Sequence, residues 1–182
     1  MNIKMKKIKV EEKEILRNIM EKYLYEFSQY ENTDVNKLGL YGYNWLDCYW
    51  TEKNRYPYFI FVDNVLAGFV LINDYQENNI KTDYTMAEFF IMYKYRRFGI
   101  GKYIVYNVLN KYKGKWQIMY HPKNIISLKF WNNIVKEYTN GQYRIIKDNK
   151  EALYRDGTTG EVIIFDNKNM ENKDIKIKER NI

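Results

Sequence analysis

Two places in this sequence combine residue types and spacing that could do chemistry. The first is the run Tyr95-Arg96-Arg97-Phe98-Gly99-Ile100-Gly101-Lys102, where two glycines stand among three cations. Glycine lets an anion approach the backbone with no Cβ in the way, and Arg96, Arg97 and Lys102 add full charges suited to a pyrophosphate. The second is Glu88, the one charge in the apolar run Met86 to Met92. Burial among such neighbours disfavours the carboxylate and raises its pKa towards values useful to a general base. His121 is the only histidine and stands as a second candidate base. Cys48, the only cysteine, reads as a small inert side chain, and no metal site is expected.

These residues need elements to hold them. Thr82 to Tyr93 is rich in apolar aromatic and branched residues, which suits a central strand buried on both faces. Ile100, Ile104, Val108 and Tyr112 then recur at helical spacing, with Lys102, Asn107, Asn110 and Lys111 towards water. The period changes from strand to helix at Gly99 and Gly101. A helix entered this way leaves its first N–H groups unpaired, and its dipole adds partial positive charge, so the turn is an anion site. A dinucleotide fingerprint would need glycine where Ile104 stands, and a P-loop needs four residues between its glycines; neither pattern is present.

Upstream, Ile3 to Val10 reads as a strand and Glu11 to Tyr30 as a helix with Ile15, Ile19, Leu24 and Phe27 on one face. Asp34 is placed to cap a second helix through Val35, Leu38, Tyr41, Trp45 and Tyr49. Tyr56 to Val62 and Val65 to Ile72 form a hairpin across Asp63-Asn64, with Gly68 marking a bulge or a close approach. Downstream lie a strand from Gly114 to Tyr120, a helix from Asn124 to Tyr138 capped by Asn124, and strands at Tyr143 to Lys147 and Val162 to Phe165. The expected fold is a mixed α/β sandwich: a twisted, largely antiparallel sheet of six to seven strands with helices on both faces. One domain over 1–167 and a charged, flexible tail over 168–182 account for the chain.

The formal charge of +7 invites a nucleic-acid-binding reading, but the lysines are dispersed, and much of the excess lies in the two ends. No uncharged apolar run approaches the roughly 20 residues of a membrane span. Met1 to Lys9 carries four lysines with no apolar segment after it, unlike a signal peptide. With a single cysteine, the expectation is a soluble cytoplasmic protein that binds neither membrane nor nucleic acid.

Arg96-x-x-Gly99-x-Gly101 at the end of a core strand, followed by Asn124-x-x-Ser127-x-x-Phe130-Trp131, resembles the GNAT acetyltransferase superfamily. The resemblance covers Ile3 to Asp166 and is motif-specific over Glu88 to Trp131. It implies an N-acetyltransferase that takes acetyl-coenzyme A as donor and a primary amine, here of a small molecule, as acceptor, by direct attack in a ternary complex. The pyrophosphate would lie on Arg96, Arg97, Phe98, Gly99, Ile100, Gly101 and Lys102. The pantetheine arm would lie along the backbone of Phe90, Ile91 and Tyr93, with Asn124, Ser127 and Trp131 also at the cofactor. Glu88 would be the base, with His121 behind it. Tyr41, Trp45 and Tyr49 would border the acceptor. Many relatives place a tyrosine where Trp131 stands, to protonate the leaving thiolate. Indole N–H donates a hydrogen bond but no proton at neutral pH, so Tyr138, two turns on along the same face, or Tyr120 would substitute. A monomer or homodimer is expected. The alternatives are a catalytically silent acetyl-coenzyme A binder and, further off, a basic nucleic-acid-binding module.

Overall fold

The computed structural model describes residues 1–77, 79–175 and 177. Seven strands form one sheet in the order β1-β2-β3-β4-β5-β7-β6: β1 Ile3–Lys7, β2 Tyr56–Val62, β3 Val65–Asn73, β4 Tyr84–Ile91, β5 Lys115–Tyr120, β6 Tyr143–Ile146 and β7 Glu161–Asp166. Every neighbouring pair is antiparallel except β4 and β5. Helix α1 (Lys13–Glu31) and the short α2 (Cys48–Thr51) cover one face, and α3 (Ile100–Lys111) and α4 (Ile125–Tyr138) cover the other. Because side chains alternate along β4, Glu88 and Phe90 point to the α1 face, while Phe89 and Ile91 point to the α3 and α4 face.

The hairpin forms as its turn chemistry demands. Asp63 and Asn64 both take positive φ, 48° and 65°, the conformation in which a two-residue turn matches the twist of the strands. Gly68 is a close approach: a Cβ there would stand 2.0 Å from the Phe90 carbonyl oxygen. β2 also bulges opposite it, between Ile60 and Phe61.

The helix expected after Asp34 is replaced by turns. Gly39 and Gly42 adopt φ of +72° and +73°, and Glu21 of α1 accepts the backbone N–H groups of Tyr41 and Gly42 at 2.8 and 2.9 Å. Asn36 likewise accepts from the N–H groups of Leu38 and Leu40. Side-chain acceptors on backbone donors compete with helical pairing, and two left-handed residues break its path. Only Cys48–Thr51 remains helical.

β4 and β5 pair only at Tyr84 with Trp116 and Thr85 with Gln117, after which they diverge. The fully buried Gln117 sits at the fork. It donates to the Tyr75 carbonyl and the Thr82 hydroxyl, each at 2.9 Å, and accepts from the Glu77 N–H at 3.2 Å. From Met86 to Ile91, β4 thus has no strand beside it on the β5 side.

Residues 168–175 lie against α3 and α4. Asn110 exchanges hydrogen bonds with the backbone of Lys173 at 3.0 and 3.1 Å, and Met170 and Ile175 pack on the core. Lys176 and residues 178–182, also read as tail, lie outside the described residues.

Gly68→Ala should cost about 1–3 kcal/mol, as overpacking does, because the contact it creates is with backbone that cannot turn aside. Urea unfolding measures this, and an unchanged midpoint would show that β3 and β4 have room to separate.

Candidate active site

The turn after β4 has the form of an anion cradle. Arg97 (φ +67°) and Gly99 (φ +80°) are left-handed, and where a Cβ would stand on Gly99 nothing lies within 4 Å. The first bond of α3 runs from the Tyr103 N–H to the Gly99 carbonyl, which leaves the N–H groups of Ile100, Gly101 and Lys102 without helical partners. Gly101 is needed for a different reason: a Cβ there would meet the Phe130 ring at 3.0 Å. Phe98 and Ile100 anchor the turn in the core.

The three cations of the turn divide their roles. Lys102 pairs with Glu137 of α4. Arg96 donates from Nε to the Ile91 carbonyl at 2.7 Å and from Nη2 to both Glu26 oxygens at 2.7 and 2.8 Å. Arg97 is exposed and, among the described residues, faces no acid. Sequence reading assigns all three to a pyrophosphate, but the structure leaves only Arg97 free for it. Equal charges at neighbouring positions cannot be told apart before the acids of α1 and α4 are in place.

Backbone direction corrects a second expectation. The Met92 N–H bonds the Ala67 carbonyl of β3, and the Phe90 carbonyl faces Gly68. Since polar groups alternate sides along a strand, Phe90 is turned into the sheet, and Phe89 and Ile91 present N–H and C=O to the gap beside β5. Tyr93 opens a one-turn helix and is 83% exposed.

Glu88 sits on the other face, in a recess of α1 and the 41–49 segment. Burial pushes its carboxyl up to about 7, opposed by the Tyr23 and Tyr43 hydroxyls turned to it and reinforced by Glu77 and Glu31. Part of the residue remains reachable from solvent although protein surrounds the carboxyl on all sides. Burial also pushes Glu77 up to about 7. Tyr154 is held well above its ordinary value by burial and then by Glu88, Glu77 and Glu31. Tyr23, Tyr43, Glu77 and Tyr154 were not singled out in the sequence. Tyr43 lies between Tyr41 and Trp45, but the others come from a helix and two loops whose meeting point is tertiary.

The remaining candidates separate. Tyr49 is buried in this recess, its hydroxyl accepting from Asn73 at 3.4 Å, whereas Tyr41 bonds Ser28 on α1 and Trp45 is 63% exposed. His121 is fully buried against Phe27, Tyr30 and Tyr154. Its Nδ1 accepts the Lys123 N–H at 3.2 Å, so in the neutral ring Nε2 carries the proton, 3.6 Å from Asp156, and no lone pair is left to act as a base. Asn124 caps α4 by accepting the Ser127 N–H at 3.0 Å. Trp131 is 6% exposed and lies edge-on to Phe89 and Phe130. Tyr138 is fully buried, donates to Asn110 at 3.0 Å and accepts from Lys113 at 3.2 Å. Seven residues of helix, about 10 Å, separate it from Trp131, which removes it as the substitute acid. Tyr120, pushed up to about 12 by burial, has its proton on Glu161 at 2.8 Å.

A family model described as "Acetyltransferase (GNAT) family" matches residues 14–133. The chain belongs to that family. Solved structures agree in fold across low identity. An acetyltransferase from Thermus thermophilus superposes with a TM-score of 0.63 at 13% identity, over 91% of this chain and 97% of that one. A GNAT-family acetyltransferase from Streptococcus agalactiae gives 0.61 at 15%, over 98% and 96%. The PaiA N-acetyltransferase from Thermoplasma acidophilum, solved with coenzyme A, gives 0.57 at 13%, over 91% and 99%. No curated protein sequence matches. Among the described residues no helix is long and apolar enough to cross a membrane, and no group of His, Cys, Asp and Glu could hold a metal ion.

The raised carboxyl has a consequence for stability. Folded Glu88 titrates near 7 and an ordinary glutamate near 4.5, so the folded state binds this proton more tightly. The associated stability is complete below about 4.5 and lost as pH rises to about 7. Glu88→Gln cannot ionise, so it should be more stable than wild type at pH 8, by on the order of 1–3 kcal/mol, with the difference closing towards pH 5. Thermal melts at the two pH values test this; an offset independent of pH would place the charge in water.

Proposed function

We propose that this family member acetylates the primary amine of a small molecule, with acetyl-coenzyme A as donor and Glu88 as base. The observation that carries the reading is the conjunction of an open stretch of β4, with backbone groups of Phe89 and Ile91 unpaired by any strand, and a carboxyl held near neutrality on the same strand. The fit to the cofactor rests on the left-handed, unobstructed Gly99, the free N–H groups of Ile100 to Lys102 and the exposed Arg97. These would hold a pyrophosphate, and the open N–H and C=O of Phe89, with the Ile91 N–H beyond them, would meet the pantetheine arm as an added strand does. When bound, the cofactor would supply an acetyl group activated as a thioester.

The chain's own residues account for the rest. An alkyl ammonium, near pKa 10.4, must lose a proton before it can act as a nucleophile. A carboxyl near 7 accepts that proton more readily than one at 4.5, while remaining largely ionised just above neutrality. The Ile91 N–H is the donor available to a developing oxyanion. Trp131 offers no proton, so the thiol, near pKa 8.5, leaves as thiolate. Tyr23, Tyr43 and Tyr49, with Glu77 and Glu31 nearby, give the recess ring faces and negative charge, which suit a compact cation with an apolar body.

Calorimetry should show coenzyme A binding at micromolar or tighter Kd, weaker for analogues lacking the pyrophosphate. A thiol-release screen of amines should then find an acceptor whose kcat rises with pH through an apparent pKa near 7, and Glu88→Gln should lose that limb and about a hundredfold in rate. Full turnover in Glu88→Gln across the pH range would remove Glu88 as base. Binding without turnover on any amine would favour a cofactor sensor, and nucleic-acid affinity with a steep salt slope a basic module.

Within the turn, Gly101→Val should weaken coenzyme A binding more than Lys102→Ala. The valine would strike Phe130, whereas the lysine is already paired with Glu137. The reverse order would make Lys102 a phosphate ligand.

A further inference from the structure

Arg96, the first residue of the glycine-turn motif, is bound on both sides by the protein itself. Its Nε reaches the Ile91 carbonyl and its Nη2 the carboxylate of Glu26 on α1, and the guanidinium lies over the rings of Phe90 and Tyr93 at 5.5 and 5.8 Å. The carbonyl it engages is one of the groups that β4 turns towards the gap. Three residues before Glu26 on the same helix is Tyr23, whose hydroxyl faces Glu88.

We infer that Arg96 is a positioning residue: it occupies the Ile91 carbonyl so that this end of β4 shows the gap a donor, and through Glu26 it sets α1, and with it Tyr23, against Glu88. This rests on the proposed acetyl transfer. An unengaged carbonyl at this point would repel negative charge developing beside it, whereas a carbonyl already engaged by a guanidinium repels it less and leaves the Ile91 N–H as the group that faces the gap. The fork of the guanidinium suits this task, since it donates in two directions at once, which an ammonium of the same charge does with poorer geometry. The ion pair is partly exposed, with side chains 35% and 41% accessible, so its contribution to stability is small and its geometry is the larger effect. Arg97, next in sequence, is the residue that meets the phosphate charge.

The two arginines should therefore fail differently. By calorimetry, Arg97→Gln should raise the Kd for coenzyme A about tenfold, with the loss growing as salt falls, while Arg96→Gln stays within about threefold of wild type. In the ligand-free protein, amide hydrogen exchange at Met92, whose N–H bonds the Ala67 carbonyl, should quicken in Arg96→Gln and in Glu26→Gln but not in Arg97→Gln. With the acceptor found by the amine screen, Arg96→Gln and Glu26→Gln should each lower kcat about tenfold with KM for acetyl-coenzyme A little changed, and the double variant should be no worse than Arg96→Gln alone. Arg96→Lys should recover part of kcat by keeping the pair with Glu26. The inference is overturned if Arg96→Gln weakens coenzyme A as much as Arg97→Gln, or if Glu26→Gln tightens it by releasing a phosphate ligand. It is equally overturned if exchange at Met92 is unchanged, or if kcat falls only in proportion to folded protein. Wild type that fails to bind coenzyme A would instead remove the proposed acetyl transfer, and the exchange measurement would still report on Arg96.

Discussion

The divergence of β4 from β5 is the constraint on which the rest of this molecule depends. A parallel pair that stops after two residues leaves a row of backbone donors and acceptors that a folded protein would normally pair. Here the separation is built in. Gln117 fills the fork with hydrogen bonds to the 75–82 loop, and on the other side Gly68 lets β3 close tightly on β4. A strand held firmly by one neighbour and released by the other keeps its shape while exposing an edge.

The two faces of β4 then serve two tasks without interfering. Phe89 belongs to the face of α3 and α4, where the glycine turn lies, and Glu88 and Phe90 belong to that of α1. Period-two alternation puts a carboxyl into a recess of tyrosines while its sequence neighbour stacks on Phe130 at 5.7 Å. α1 joins the tasks, because within one turn it presents Tyr23 to Glu88 and Glu26 to Arg96. The cations are divided accordingly: Lys102 and Arg96 fix helices, and Arg97 faces outwards.

Much of this was legible in the sequence because it is local. The strand-to-helix switch at Gly99, the Asp63-Asn64 hairpin, the Asn124 cap and the burial of Glu88 follow from short-range periodicity and turn stereochemistry. The family motif lies within the same segments, and the match over residues 14–133 agrees with it. The segment after Asp34 failed for a reason its own residues do not show: its helical spacing was real, but Glu21, 20 residues before Tyr41, accepts the N–H groups that the helix would have needed.

What the sequence by itself determined is the order of strands and helices outside the segment after Asp34, the glycine turn from strand to helix and the identity of the one carboxyl in the central strand. Which cation stays free, which carbonyl faces the gap and which tyrosines surround Glu88 were decided only by tertiary structure. Arg96 and Arg97 are adjacent and chemically alike, and they differ because α1 brings Glu26 to one of them. His121 and Tyr138 carry suitable groups, yet the Lys123 N–H and the Asn110 side chain had taken them once the chain closed. Side-chain chemistry is written residue by residue, whereas the availability of a lone pair, proton or charge depends on partners far away in the sequence, and only the fold brings those partners into reach.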